Sequence, residues 1–265
     1  MAHAHPLLRK LFGNPLTNGL DINTKEAIEI HKRIIKENFL LRGYYAFVYR
    51  YFSKVENSLS GLDLPSLEIG SGGGFIKEYI PNIVTSDVVL SEGIDRMEDA
   101  VSLSFPAGSL KAVFANNVIH HLGDVVRFFE EIQRVLARGG VFVCNEPSLT
   151  LFGYFVMRNF HHEYTDKYVR IWEGSGFSKR LTDANTAIPY ILFKKEAGEF
   201  LCRFTQLKIR SVVYHDFIRY ILSGGLSYRP FVSKPLYGTI ELIESLLRPF
   251  MPLLGNSILV TLQKV

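Results

Sequence analysis

The stretch Leu64-Pro-Ser-Leu-Glu-Ile-Gly-Ser-Gly-Gly-Gly-Phe75 constrains the chain more than any other. Leu67 and Ile69 form an apolar run around Glu68 that stops at Gly70. Three more glycines follow before Phe75, Ile76 and Tyr79 restart an apolar pattern. That order predicts a short buried strand, a tight glycine turn and the start of a helix. Glycine is required where the backbone takes positive φ or where a ligand approaches it closely. A turn that feeds a helix N-terminus also presents free N–H groups to a polar ligand. Gly70, Gly72 and Gly74 give the spacing E-x-G-x-G-x-G, with Phe75 where a dinucleotide fingerprint has its third glycine.

The residues after the turn repeat an alternation of strands and helices. Ile83 to Val89 predicts a second strand carrying Asp87 near its end, and Ile94-Asp95 a minimal third. Lys111 to Val118 predicts a fourth strand, apolar enough to be buried on both faces. Asp124 is placed to cap a helix whose stripe is Val125, Phe128, Phe129, Ile132, Val135 and Leu136. Glu130 and Arg134 are spaced as an i,i+4 pair, and Gly139-Gly140 is expected to end that helix. Val141 to Asn145 predicts a fifth strand leading into Glu146-Pro147. This rhythm defines an α/β fold with a doubly wound, mostly parallel sheet. Ligands bind such sheets at the carboxyl ends of the strands, where Gly70 to Gly74, Asp87, Asp99, Asn116 and Glu146 all fall.

Flanking segments are less regular. From Thr24 the pattern is helical through Ala27, Ile30 and Ile34, with Asn23 or Thr24 as the cap. Gly43 is expected to break it before the aromatic run Tyr44, Tyr45, Phe47, Tyr49, Tyr51 and Phe52. Residues 1–58 therefore read as an N-terminal helical cap, either packed on the body or lying over an apolar substrate, and 59–265 as the main domain. Residues 148–204 break the rhythm as an insertion, with His161, His162 and Tyr164 within reach of the crevice. A helix is expected over 196–202, a strand over 206–214, a helix over 236–247 and a closing strand over 256–264.

Composition narrows the function classes. With 47% hydrophobic and 21% charged residues, the 265-residue chain is globular rather than disordered. A net charge of +4 from scattered basic residues gives no argument for nucleic acid. Cys144 and Cys202 sit in apolar runs and read as buried hydrophobes of a reducing compartment. No apolar run reaches the roughly 20 residues of a spanning helix, so a cytoplasmic location is expected, with contact at a membrane surface left open.

Five marks in order resemble a class I S-adenosylmethionine-dependent methyltransferase of the broad type 11 kind. They are Leu67 to Gly74, Ser86-Asp87-Val88, Asp99-Ala100 with Phe105-Pro106, Asn116 to Leu122, and Phe129 to Val143. The resemblance implies a seven-stranded Rossmann-like sheet and S-adenosyl-L-methionine as cofactor. It implies cofactor contacts at Glu68, Gly70, Ser71, Gly72, Gly74, Asp87, Val88, Asp99, Ala100 and Asn116. Of these, Asp87 would take the ribose hydroxyls, Asp99 and Ala100 the adenine, and Glu68 and Asn116 the methionine end. Tyr190 and Lys194 match a Tyr-x-x-x-Lys pair of nicotinamide-dependent oxidoreductases, but the glycine spacing is wrong for that class.

Methyl transfer from a sulfonium depends on alignment and exclusion of water. A hydroxyl acceptor also needs a base, and His121 and Glu146 are the candidates; His120 and His121 alternatively pack and orient their loop. No metal is expected. The stretches 187–193 and 223–228 resemble bacterial methyltransferases of surface glycans, which implies O-methylation of a sugar or a glycolipid, a lipid-linked saccharide. The alternatives are a small lipophilic acceptor such as a quinone or polyketide, and a non-catalytic relative that binds a partner.

Overall fold

The computed structural model describes residues 10–21, 24–159, 163–172 and 184–265. Two helices, α1 (Lys25–Glu37) and α2 (Phe39–Ser58), lead into β1 (Ser66–Ile69), β2 (Val84–Asp87), β3 (Arg96–Met97) and β4 (Leu110–Asn116). Then come α3 (Val125–Val135), β5 (Leu136–Pro147), α4 (Leu151–Asn159), α5 (Ala197–Arg203), β6 (Leu207–His215), α6 (Arg219–Ser223), α7 (Tyr237–Leu246) and β7 (Ser257–Lys264). The seven strands form one sheet in the order β3-β2-β1-β4-β5-β7-β6. β1 to β5 pair in parallel, and β7 runs antiparallel between β5 and β6. The chain reverses its strand order between β1 and β4, which opens a crevice at their carboxyl ends.

Core composition follows from burial on both faces of the sheet. Ala112, Val113, Phe114 and Ala115 of β4 are wholly buried. On one face α3 buries Phe128, Phe129, Ile132 and Val135, and Phe129 stacks edge-on against Phe142 and Phe200. Each such side chain contributes about 1.5–3 kcal/mol of burial. On the other face α2 packs Tyr44, Val48, Tyr49 and Phe52 against Phe114, Val141, Val143 and Leu259. α2 is thus part of the core. No described helix is long and apolar enough to cross a membrane.

Several local expectations are corrected. The glycine turn feeds only a single 3-10 turn, Ile76–Glu78, before Pro81 intervenes, so the turn does not open into an α-helix. The first break lies at Asn38, whose side chain accepts from the Leu41 N–H and caps α2, and Gly43 sits inside that helix. Gly43 is needed for packing: a Cβ there would lie 2.6 Å from the Tyr237 hydroxyl. Thr24 caps α1 through the Ala27 N–H, whereas Asn23, His161 and His162 lie outside the described residues. Arg134 pairs with Glu131 rather than Glu130, because its guanidinium also reaches the carbonyls of Leu103 and Phe105. α3 ends at Val135, four residues before Gly139, because β5 starts at Leu136. The minimal third strand forms at Arg96–Met97, two residues later than expected. Cys144 is buried, but Cys202 is exposed on α5.

Candidate functional site

A cavity of about 380 Å³ lies at the carboxyl ends of β1, β2 and β4. The glycine turn forms its floor. Gly70 and Gly72 take φ of 62° and 46°, the left-handed region in which an L side chain is strained. A Cβ on Gly70 would meet Val118 at 2.6 Å, so the turn after β1 and the turn after β4 touch through glycine. The Ser71 N–H donates to the Ser86 carbonyl, and the Gly72 N–H donates to Asp87 Oδ2 at 2.9 Å. Asp87 Oδ1 also accepts from the Val89 N–H.

Glu68 is buried, and neither carboxylate oxygen has a hydrogen-bond partner of normal geometry. Burial raises its pKa to about 8, a rise that the neighbouring Ser71 and Tyr49 hydroxyls moderate. Asn116 has the complementary condition. Its Oδ1 accepts from Asn145 Nδ2 at 2.8 Å, which leaves its own Nδ2 buried and unsatisfied. Asn145 is held in turn by Tyr44 and by His215 Nε2 at 2.7 Å. Burial lowers the pKa of His215 to about 3, so the imidazole is neutral. Both residues line the cavity, and this buried acceptor and buried donor are the atoms that a polar ligand would satisfy there.

At the other end of the cavity stand the two histidines. Asn117 takes a φ of 58°, which turns the chain after β4 into the 3-10 turn Ile119–His121. Glu146 Oε1 accepts from the Val118 and Ile119 N–H groups, and Oε2 lies 2.6 Å from His120 Nδ1. Burial opposes charge on His120, but the Glu146 carboxylate, assisted by Glu163, raises its pKa to about 10. Glu163 enters from the segment after α4, beside both imidazoles.

Among the expected site residues, Glu68, Gly70, Ser71, Gly72, Asp87, Val88, Asp99, Ala100, Asn116 and His121 line this one cavity. Gly74 and Glu146 do not. A Cβ on Gly74 would fall 2.1 Å from the Tyr49 hydroxyl, so that glycine makes room for α2 rather than for a ligand. Glu146 is enclosed, with its oxygens engaged by the Val118 and Ile119 N–H groups and by His120. Tyr190 and Lys194 also lie outside the cavity lining. The roof is supplied by Ile28, His31 and Ile35 of α1 and Tyr44, Tyr45 and Tyr49 of α2. Burial pushes the Tyr44 hydroxyl up to about 12 and the Tyr45 hydroxyl higher still. Sequence reasoning missed Glu163 and Tyr220 as lining residues; neither belongs to a spaced motif.

The sheet order and a glycine turn joined to the acid of the second strand define a Rossmann-like class I methyltransferase fold. In agreement, residues 67–144 match the family model described as Methyltransferase domain. Residues 67–144 therefore carry a methyltransferase domain, and the chain is an enzyme with a class I methyltransferase fold and S-adenosyl-L-methionine as cofactor. No curated protein matches it in sequence. Among solved structures, it is similar to a SAM-dependent methyltransferase from Archaeoglobus fulgidus, with 14% identity and a TM-score of 0.49. That match covers 83% of this chain and 94% of the other. It is also similar to geranyl diphosphate C-methyltransferase from Streptomyces coelicolor A3(2), with 15% identity, a TM-score of 0.41, and coverage of 77% and 71%. A possible histamine N-methyltransferase from Thermotoga maritima matches at 15% identity and a TM-score of 0.43, over 89% and 99% of the two chains.

Proposed function

We propose that this enzyme methylates a small acceptor with an apolar body, rather than the sugar or lipid-linked saccharide that its C-terminal stretches suggest. The carrying observation is the cavity. It is roofed by Ile28, Ile35, Tyr45 and Tyr49, and its volume of about 380 Å³ is shared by cofactor and acceptor. That is near the lower end of the roughly 300–1,000 Å³ typical of ligand pockets, which favours a compact acceptor over an extended saccharide. When bound, the cofactor supplies a sulfonium methyl group. Glu68 would hold its ammonium and Asn116 Nδ2 its carboxylate, while Asp87 would take the ribose hydroxyls and Asp99 and Ala100 the adenine.

The remaining work belongs to this chain's other groups. The roof excludes water, and His121 and Glu163 stand where a proton can leave an acceptor hydroxyl. Glu146 is a positioning residue that acts through His120. Exposed Leu242, Leu246, Phe250 and Leu253 on and after α7 supply the face on which contact with a membrane surface would rest.

Radiolabelled methyl transfer tests the reading. Label should enter small phenols or quinols and not purified glycolipid. Transfer to glycolipid alone would reverse it, and cofactor binding without any transfer would favour a non-catalytic binding module.

A further inference from the structure

Three ligand-type atoms converge on the cavity wall beside the acceptor end. His120 Nε2 lies 3.5 Å from Glu163 Oε2, and His121 Nε2 lies 3.7 Å from Glu163 Oε1. One donor atom from each residue falls within 4.8 Å of the others. Around a zinc-type ion with bonds of about 2.0–2.1 Å, the edges of the coordination tetrahedron are about 3.4 Å. The three side chains need only close inward from within 4.8 Å to reach that spacing, with the carboxylate offering either oxygen.

A second observation points the same way. A metal-bound histidine nearly always gives its other ring N–H to a carboxylate or carbonyl, which fixes the tautomer. His120 Nδ1 is 2.6 Å from Glu146 Oε2, and Glu146 is itself fastened by the Val118 and Ile119 N–H groups. This arrangement directs the opposite nitrogen, Nε2, toward Glu163.

We propose that His120, His121 and Glu163 form a three-ligand site for a divalent transition-metal ion of the zinc class, whose fourth position faces the cavity and takes an oxygen of the methyl acceptor. Two imidazoles and one carboxylate suit zinc or its neighbours; magnesium and calcium prefer all-oxygen shells. A hydroxyl bound to such an ion loses its proton at lower pH, so the site selects acceptors with a coordinating hydroxyl. The acceptor part rests on the small-acceptor reading above, whereas the ion site does not.

The test uses the full chain stripped with a chelator, incubated with Zn²⁺ or Co²⁺ alone, and dialysed. Elemental analysis should find about one ion per chain, and the Co²⁺ form should show the visible bands of tetrahedral coordination. His121→Ala and Glu163→Gln should each weaken retention at least about tenfold, and Glu146→Gln about 10–100-fold, the range for carboxylates behind a metal-bound histidine. Circular dichroism confirms that each variant is folded. Failure of the wild type to retain metal would overturn the site. So would unchanged retention in both His121→Ala and Glu163→Gln, which would place the ion elsewhere, for instance on His3 and His5. S-adenosylhomocysteine binding, measured on the same samples, separates the two readings. Zinc retained by a chain that binds no S-adenosylhomocysteine would support the ion site and sink the cofactor contacts.

Discussion

The Gly72 N–H donates to Asp87 Oδ2 at 2.9 Å, so the glycine turn after β1 is tied to the acid at the end of β2. Asp87 thereby serves two ends: it fixes the turn, and its remaining lone pairs face the cavity. Asp87→Ala should weaken S-adenosylmethionine binding at least about 100-fold, since two hydrogen bonds to a charged acceptor are worth about 1.5–3 kcal/mol each. Asp87→Asn keeps an oxygen for Gly72 and should lose about tenfold. Titration calorimetry decides, and unchanged affinity in both variants would remove Asp87 from the cofactor contacts.

Glu68 gives the binding reaction a pH dependence. Its folded pKa of about 8 lies above the ordinary 4.5 because of burial. The protonated form therefore stabilises the fold below about pH 4.5, and that contribution is lost as pH rises toward 8. A cationic ligand end demands the ionised carboxylate, so cofactor binding should release a proton, and affinity should rise between about pH 5.5 and 7.5. Calorimetry in two buffers of different ionisation enthalpy measures that proton. Glu68→Gln should flatten the pH profile and raise the apo protein's melting temperature most at the alkaline end.

Gly73 and Gly74 hold the roof down. A Cβ on Gly73 would lie 2.6 Å from the Lys32 backbone nitrogen in α1, and one on Gly74 would lie 2.1 Å from the Tyr49 hydroxyl in α2. Gly74→Ala should cost about 1–3 kcal/mol, the usual range for overpacking, with part recovered in Gly74→Ala/Tyr49→Phe. Gly73→Ala has no side-chain remedy, because the obstacle is backbone. It should lift α1 and speed cofactor dissociation in stopped-flow displacement; an unchanged off-rate would mean that α1 is not part of the closure.

A buried ion pair braces the C-terminal side of the cavity. Glu244 Oε1 accepts from the N–H groups of Phe217, Ile218 and Arg219, and Oε2 pairs with the Arg219 guanidinium. Glu244→Ala leaves Arg219 and three amides without that partner. It should destabilise the fold by about 3–5 kcal/mol in urea unfolding, as expected when one member of a buried pair is removed. Because Tyr220 of α6 lines the cavity, ligand affinity should fall with it.

Residues 64–147 were legible because their information is local. Leu67, Glu68 and Ile69 define a strand by hydrophobic pattern, Asp124 and the Phe128–Phe129–Ile132–Val135 stripe define α3, and glycine marks its turn by being the residue that tolerates positive φ. The order of strand, turn, acid and strand end then names the crevice and most of its lining. What Gly74 and Glu146 do was not legible. Both belong to the right motif, yet Gly74 answers to Tyr49 of α2 and Glu146 to backbone N–H groups and an imidazole 26 residues upstream. Those are contacts between segments distant in sequence, and no local pattern encodes them. The same holds for the meeting of His120 and His121 with Glu163, which lies 42 residues beyond His121 in the chain. By itself the sequence determined the sheet, the turn at Gly70 to Gly74 and the cofactor. Only the tertiary structure decided what closes over that turn and which groups stand at the acceptor end, because the packing of distant segments sets those neighbours.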